Sequence, residues 1–140
     1  IAKLRDNSQR DAERISAIIL PKSPLPLLYD AISQVDRTIY YQFKHISDQL
    51  ARETVGRRMI MESYELMIQY LEYARVDNPN PNANLAKMIE LTRRLRDGMA
   101  YVNRLQLMHH REICQTLENL VLIDRITSKT YSKAVQATKR

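Results

Sequence analysis

Glycine is nearly missing from this chain. Its 140 residues include two, Gly56 and Gly98, whereas the tight turns that join β-strands need many more. An all-α fold is therefore expected before any periodicity is read. Cysteine is rarer still: Cys114 stands alone, so no intrachain disulfide can form and the stapled framework of small secreted domains is excluded. No apolar run approaches the roughly 18 residues that a membrane-spanning helix requires. The stretch Ile15–Leu20 is short, follows a charged segment and lacks a signal-peptide cleavage pattern. The cytoplasm is the default location, with no membrane partner. The chain opens on Ile1 rather than methionine, as a trimmed or fragmentary chain does. Gly-rich phosphate loops are also missing, which removes the common nucleotide-binding signatures.

What the chain does have is positive charge. Its 22 Lys and Arg against 16 Asp and Glu give a formal charge of +6. An excess of that size favours an anionic partner, although a soluble protein can be basic without one. Tyrosine is the other excess: eight occur, against one Phe and no Trp. Tyrosines edge bundle cores, stack on unpaired bases and populate protein interfaces. Tyr40–Tyr41 and Tyr70/Tyr73 cannot all face one core, so some are expected on an oligomer or partner surface.

One domain fits this length. Residues 1–20 read as a helical arm with Leu4, Ala12, Ile15, Ile18 and Ile19 on one side. Pro21, Pro24 and Pro26 make residues 21–26 a connector. A helix from about Pro26 to Leu50 follows, carrying Leu28, Ile32, Val35, Ile39, Phe43 and Ile46 at spacings of three and four. A boundary is expected near Gly56, with Thr54 as the cap and Arg57–Arg58 in the first turn, although one continuous bent helix fits the pattern too. The next apolar stripe reads Ile60, Tyr64, Met67, Leu71 and Ala74. Asp77–Asn84 is the clearest loop, rich in Pro and Asn. Ala83–Asn103 forms a further helix with Leu85, Met88, Thr92, Leu95, Met99 and Val102 inward. The last begins near Met108 and carries Ile113, Leu117, Leu120 and Ile123 or Asp124 to about Ile126. The expected architecture is an antiparallel four-helix bundle over 27–126, with an N-terminal helical arm and a basic C-terminal tail over 127–140 that either continues the helix or frays.

Catalysis finds little support. His45, His109 and His110 lie in no Glu-x-x-His pair, so neither a metal nor any other cofactor is expected. Cys114 has no activating partner marked in the sequence and reads as a structural thiol. The expectation is a non-enzyme. The basic residues are more informative. A cation in a helix's first turn opposes the macrodipole, which singles out Arg57 and Arg58. Lys87 and Arg94 share one side of their helix, Arg93 and Arg104 a neighbouring side, and Arg96 flanks the apolar seam. Lys129 and Lys133 carry the charge onward, followed by Lys139 and Arg140. The bland alternative is a solvated face laced by pairs such as Glu90 with Arg94.

Leu28-Tyr29-Asp30, Thr54-Val-Gly-Arg-Arg-Met59, Tyr64-Glu-Leu-Met-Ile-Gln-Tyr-Leu-Glu-Tyr-Ala74, Leu91-Thr-Arg-Arg-Leu-Arg96 and His110-Arg-Glu-Ile-Cys-Gln-Thr-Leu-Glu-Asn-Leu120 follow one another in a telling order. In order and spacing, about residues 27 to 126 resemble the accessory variability determinant proteins of diversity-generating retroelements and the broader bacterial four-helix-bundle family. The arm before Pro26 is additional, and Ile123-Asp-Arg-Ile126 replaces the glycine- and tryptophan-bearing end of the last helix. The resemblance implies a non-catalytic bundle, bacterial or phage-encoded, that assembles into a ring, a pentamer. It further implies binding to a reverse transcriptase and its structured template RNA in support of error-prone cDNA synthesis. The surface carried over is Arg57, Arg58, Arg93, Arg94, Arg96 and Arg104. Two other classes compete: a structural adaptor that binds an acidic protein, and a DNA-binding protein of a mobile element, for which no helix-turn-helix spacing is present.

Overall fold

The computed structural model of the chain describes residues 25–138. The expected arm over 1–20 and most of the connector lie outside the described residues. Four long helices make the architecture: α1 (Leu25–Lys44), α3 (Arg57–Tyr73), α4 (Pro81–Arg104) and α5 (His110–Thr138). Between α1 and α3, a single turn, α2 (Gln49–Ala51), runs into a π-helical turn over Arg52–Gly56. Helix α1 packs on α3 and α5, and α4 packs on the same two, which closes a ring of four around one core. Tyr29 meets Tyr70, Asp36 accepts from Ser63 and Phe43 touches Gly56. Residue numbers thus rise along α1 as they fall along α3. Asn84 bonds Glu72, Arg94 reaches Glu62 and Gly98 faces Met59, so α3 and α4 run in opposite senses as well.

The α1 stripe forms as its spacing predicts, with Leu28, Ile32, Val35, Ile39 and Phe43 all at 1% exposure or less. The helix stops at Lys44, however, not at Leu50. His45 and Ile46 turn back on the carbonyls of Gln42 and Phe43, and Asp48 starts the next rod by accepting from the Ala51 amide at 3.1 Å. The boundary therefore lies at 45–48, and Gly56 sits inside a helical rod that runs from Gln49 to Tyr73. Thr54 is no cap; its hydroxyl donates to the Leu50 carbonyl.

The face of α3 differs from the expectation by one residue. Met59, Glu62, Ser63, Leu66 and Tyr70 are buried, while Tyr64 and Leu71 are exposed and Ile60 and Met67 are half-buried. Both sets repeat at helical spacing. The buried set includes two polar residues, so counting apolar side chains favours the wrong side. The π turn explains the choice. An α-helix advances about 100° per residue, and one π turn absorbs an extra residue. Without it, a rod starting at Asp48 would turn Arg58, Glu62, Glu65 and Gln69 inward. With it, Met59, Ser63, Leu66 and Tyr70 take those places.

Helix α4 begins at Pro81, two positions earlier than predicted, inside the expected loop. Asn80 caps it by accepting from the Ala83 amide, and Pro81 suits a first-turn position, where no amide donor is needed. Asn84 is helical and buried, donating to Gln69 and Glu72 and accepting from Asn78. At the other end the Leu107 amide reaches back to the Val102 carbonyl while Gln106 takes φ 54°, a Schellman turn with glutamine in the position glycine usually fills. Helix α5 continues well past Ile126, and Thr127 is fully buried with its hydroxyl on the Ile123 carbonyl. The tail expected from 127 is thus helical as far as Thr138.

A Cβ on Gly56 would stand 2.7 Å from the Phe43 ring and 3.3 Å from the Ala51 carbonyl oxygen, whereas one on Gly98 would meet only the flexible Met59 side chain, at 3.0 Å. Gly56→Ala should therefore cost about 1–3 kcal/mol in denaturant unfolding. Gly98→Ala should shift stability by no more than about 1 kcal/mol, because helix propensity offsets the adjustment of Met59. Burial raises the Tyr73 phenol above its ordinary 10.0. The unfolded chain then ionises first, so stability holds to about pH 10 and falls as pH climbs towards the folded value. Tyr73→Phe should flatten that alkaline limb; an unchanged limb would show that Tyr73 does not cause it.

Candidate nucleic-acid interface

Helix α4 distributes the predicted cations to two sides. Arg94 leans to α3, where its guanidinium lies 3.9 Å from Glu62 and 3.9 Å from Glu90. Arg58 of α3 approaches the same Glu62 at 3.7 Å. On the opposite flank, Arg93 and Arg96 converge on Asp124 of α5, at 3.7 and 3.5 Å. The single positive face expected along α4 is therefore two clusters, each organised by a carboxylate from a neighbouring helix. Arg57, Lys87, Arg104, Lys129 and Lys133 are exposed and make no ion pair among the described residues.

Arg57 and Arg58 do not stand in a helix's first turn. Helical turns from Gln49 onward precede them, so the helix start lies two turns away, beyond the reach of its end charge. What places Arg58 is the π turn, which rotates it from the core side to the α4 flank.

These ion pairs are long and wet. The side chains of Arg58, Arg93, Arg94 and Arg96 are 69%, 65%, 54% and 42% exposed, so each pair is screened and contributes at most about 1 kcal/mol. Such arginines can trade a carboxylate for a phosphate at small cost. Glu62 differs from the other acids, being 9% exposed, and its Oε2 accepts no hydrogen bond among the described residues. It lines a cavity of about 310 Å³ between α3 and α4, together with Val55 of the π turn, Met59, Gly98 and Tyr101. Neither Glu62 nor Asp124 was among the candidates in the sequence. Arg58 and Glu62 stand at i and i+4, a signal that was readable, whereas Asp124 joins Arg96 from 28 positions away.

The remaining chemistry-bearing residues assemble nothing further. Among the described residues no group of three or more His, Cys, Asp and Glu is placed to hold a metal ion. The Cys114 thiol does have a neighbour, His110 Nε2 at 3.4 Å, one helical turn earlier. Tyr70 is buried against Tyr29, while Tyr40, Tyr41, Tyr64 and Tyr101 are about half exposed. None of the described helices is long and apolar enough to cross a membrane. Comparisons with protein-family models, with curated proteins and with solved structures find no match to the chain.

Since Arg93 and Arg96 are largely exposed and their distances to Asp124 long, Asp124→Asn should lower unfolding stability by no more than about 1 kcal/mol while leaving both arginines uncompensated. The variant should elute from immobilised heparin at higher salt than the parent. A loss well above that figure would make Asp124 a structural anchor of the α4–α5 seam instead.

Proposed function

We propose that the chain is a non-catalytic accessory subunit of a diversity-generating retroelement, binding the element's reverse transcriptase and structured template RNA as a homo-oligomer, a pentamer. The observation that carries this reading is the pair of half-exposed arginine clusters on the two flanks of α4, Arg58 with Arg94 and Arg93 with Arg96, held only by long carboxylate pairs. Guanidinium groups so held suit phosphate contacts that position a nucleic acid rather than read its bases. The resemblance over residues 27–126 points the same way. An outward side of α3 bearing Met61, Tyr64 and Leu71, each exposed by close to half or more, suits self-assembly or a protein partner. A bacterial or phage-infected cytoplasm is the setting that goes with this role.

The test is RNA affinity against salt for a structured RNA hairpin. Arg93→Glu and Arg94→Glu should each weaken binding with the fold intact, and lower the slope of log K on log salt by about one. Native mass spectrometry at low salt should find five subunits carrying RNA. Charge reversals without effect, or a bare monomer free of nucleic acid, would leave an adaptor for an acidic protein as the better reading.

A further inference from the structure

The α3–α4 cavity presents a chemical requirement that the fold itself leaves unmet. Among the described residues Glu62 Oε2 is the one buried side-chain oxygen or nitrogen with no hydrogen-bond partner. A buried carboxylate oxygen without a donor is costly. Arg94 stands 3.9 Å from Oε2, beyond hydrogen-bond reach, and Arg58 approaches the other oxygen, Oε1, at 3.7 Å. The cavity is about 310 Å³, at the lower end of small-ligand sites. Its walls are apolar at Val55 and Met59, and Tyr101, 49% exposed, stands at its rim. Gly98 adds backbone to the lining, packed against the Met59 side chain.

We propose that this cavity receives the Watson–Crick edge of one unpaired guanine in single-stranded RNA. The proposal rests on the RNA-binding reading above and gives it a base preference. A carboxylate offers two parallel acceptors, and guanine offers two parallel donors, N1–H and the exocyclic N2 amino group, on an uncharged ring. Adenine, cytosine and uracil each turn at least one acceptor towards Glu62 where guanine turns a donor, and two facing acceptors repel. A partner's arginine carries the same fork of donors, but its charge would stand beside Arg58 and Arg94, and a like charge in a half-enclosed site is disfavoured. The neutral fork therefore fits better. Tyr101 is placed to stack on the inserted ring, as aromatic residues do in readers of single-stranded RNA. Arg58 and Arg94 flank the opening where the nucleotide's phosphates would pass, and Asp97 supplies a further acceptor for an amino or 2′-hydroxyl group.

The experiment is fluorescence anisotropy with short labelled oligouridines that carry one central guanosine, inosine or adenosine, at fixed salt. The guanosine probe should bind at least roughly ten-fold tighter than the adenosine probe, with inosine, which lacks the 2-amino group, in between. Glu62→Gln should erase that preference while the adenosine probe binds as well as before or better, since a negative charge beside the arginines is gone. Tyr101→Ala changes an exposed residue and keeps the proposal testable should Glu62→Gln fail to fold. It should weaken the guanosine probe at least about five-fold. Equal affinity of the parent protein for the guanosine and adenosine probes overturns the guanine site and leaves RNA binding standing. Failure to bind the structured hairpin and every probe at low salt overturns both. A guanine preference that survives Glu62→Gln places the reader elsewhere, and stronger competition by argininamide than by guanosine assigns the cavity to a protein arginine.

Discussion

Phe43 lies so close to the backbone of Gly56 that any side chain there would strike its ring. This contact joins the end of α1 to the π turn, and much of the architecture follows from it. The π turn absorbs one residue between the Asp48 cap and α3 and so sets the rotation of α3 about its axis. That rotation brings Met59, Leu66 and Tyr70 into the core and turns Arg58 and Glu62 to the α4 flank. Core and candidate site are thus settled by a single step in helix winding. A glycine is needed at this point for space and not for an unusual φ, since Gly56 has ordinary right-handed helical angles.

The same step accounts for the two-faced character of α3. One side packs Leu66 and Tyr70 against α1 and α4, while Met61, Tyr64 and Leu71 remain outward. A helix with apolar residues on opposite sides suits burial in a larger assembly better than an isolated bundle. The polar members of its inner side have partners fitted to them: Ser63 donates to Asp36 of α1, and Asn84 ties Gln69 and Glu72 to the start of α4. Glu62 has only long ion pairs, to Arg58 and Arg94, and it lines the cavity.

Much of the fold was legible in the sequence, for reasons that differ by element. Helices α1 and α4 carry one apolar stripe each, so periodicity alone identifies their inner faces. Helix α3 carries two, and only the winding upstream decides between them; no local pattern marks a π turn in Arg52–Gly56. The missed boundary at 45–48 lacks glycine and proline, and its signal is the single cap Asp48. Pro81 lies within the Pro- and Asn-rich stretch expected as a loop, yet with Asn80 before it the residue begins a helix. The cations of the site were legible as a group from charge. Their division into two clusters was not, since it depends on Glu62 and Asp124, which reach α4 from other helices.

Electrostatics link that division to the proposed role. Glu62 and Asp124 each hold two arginines in place at distances that give weak, screened attraction. A stronger, fully buried pairing would fix the guanidinium groups and take them out of reach of a ligand. With no carboxylate at all, the like charges would repel and splay outward. Long pairs at half exposure order the arginines while leaving most of their hydrogen-bond donors unused. A polyanion that arrives can then take those donors without first breaking a strong bond, and its counterions are released as it does so. The two sides of α4 differ in what they offer next. At Asp124 the two arginines would offer a strand's phosphates their unused donors. Beside Glu62 the surface opens into a cavity with an unmet acceptor, so a strand held by Arg58 and Arg94 would lie where its base can enter.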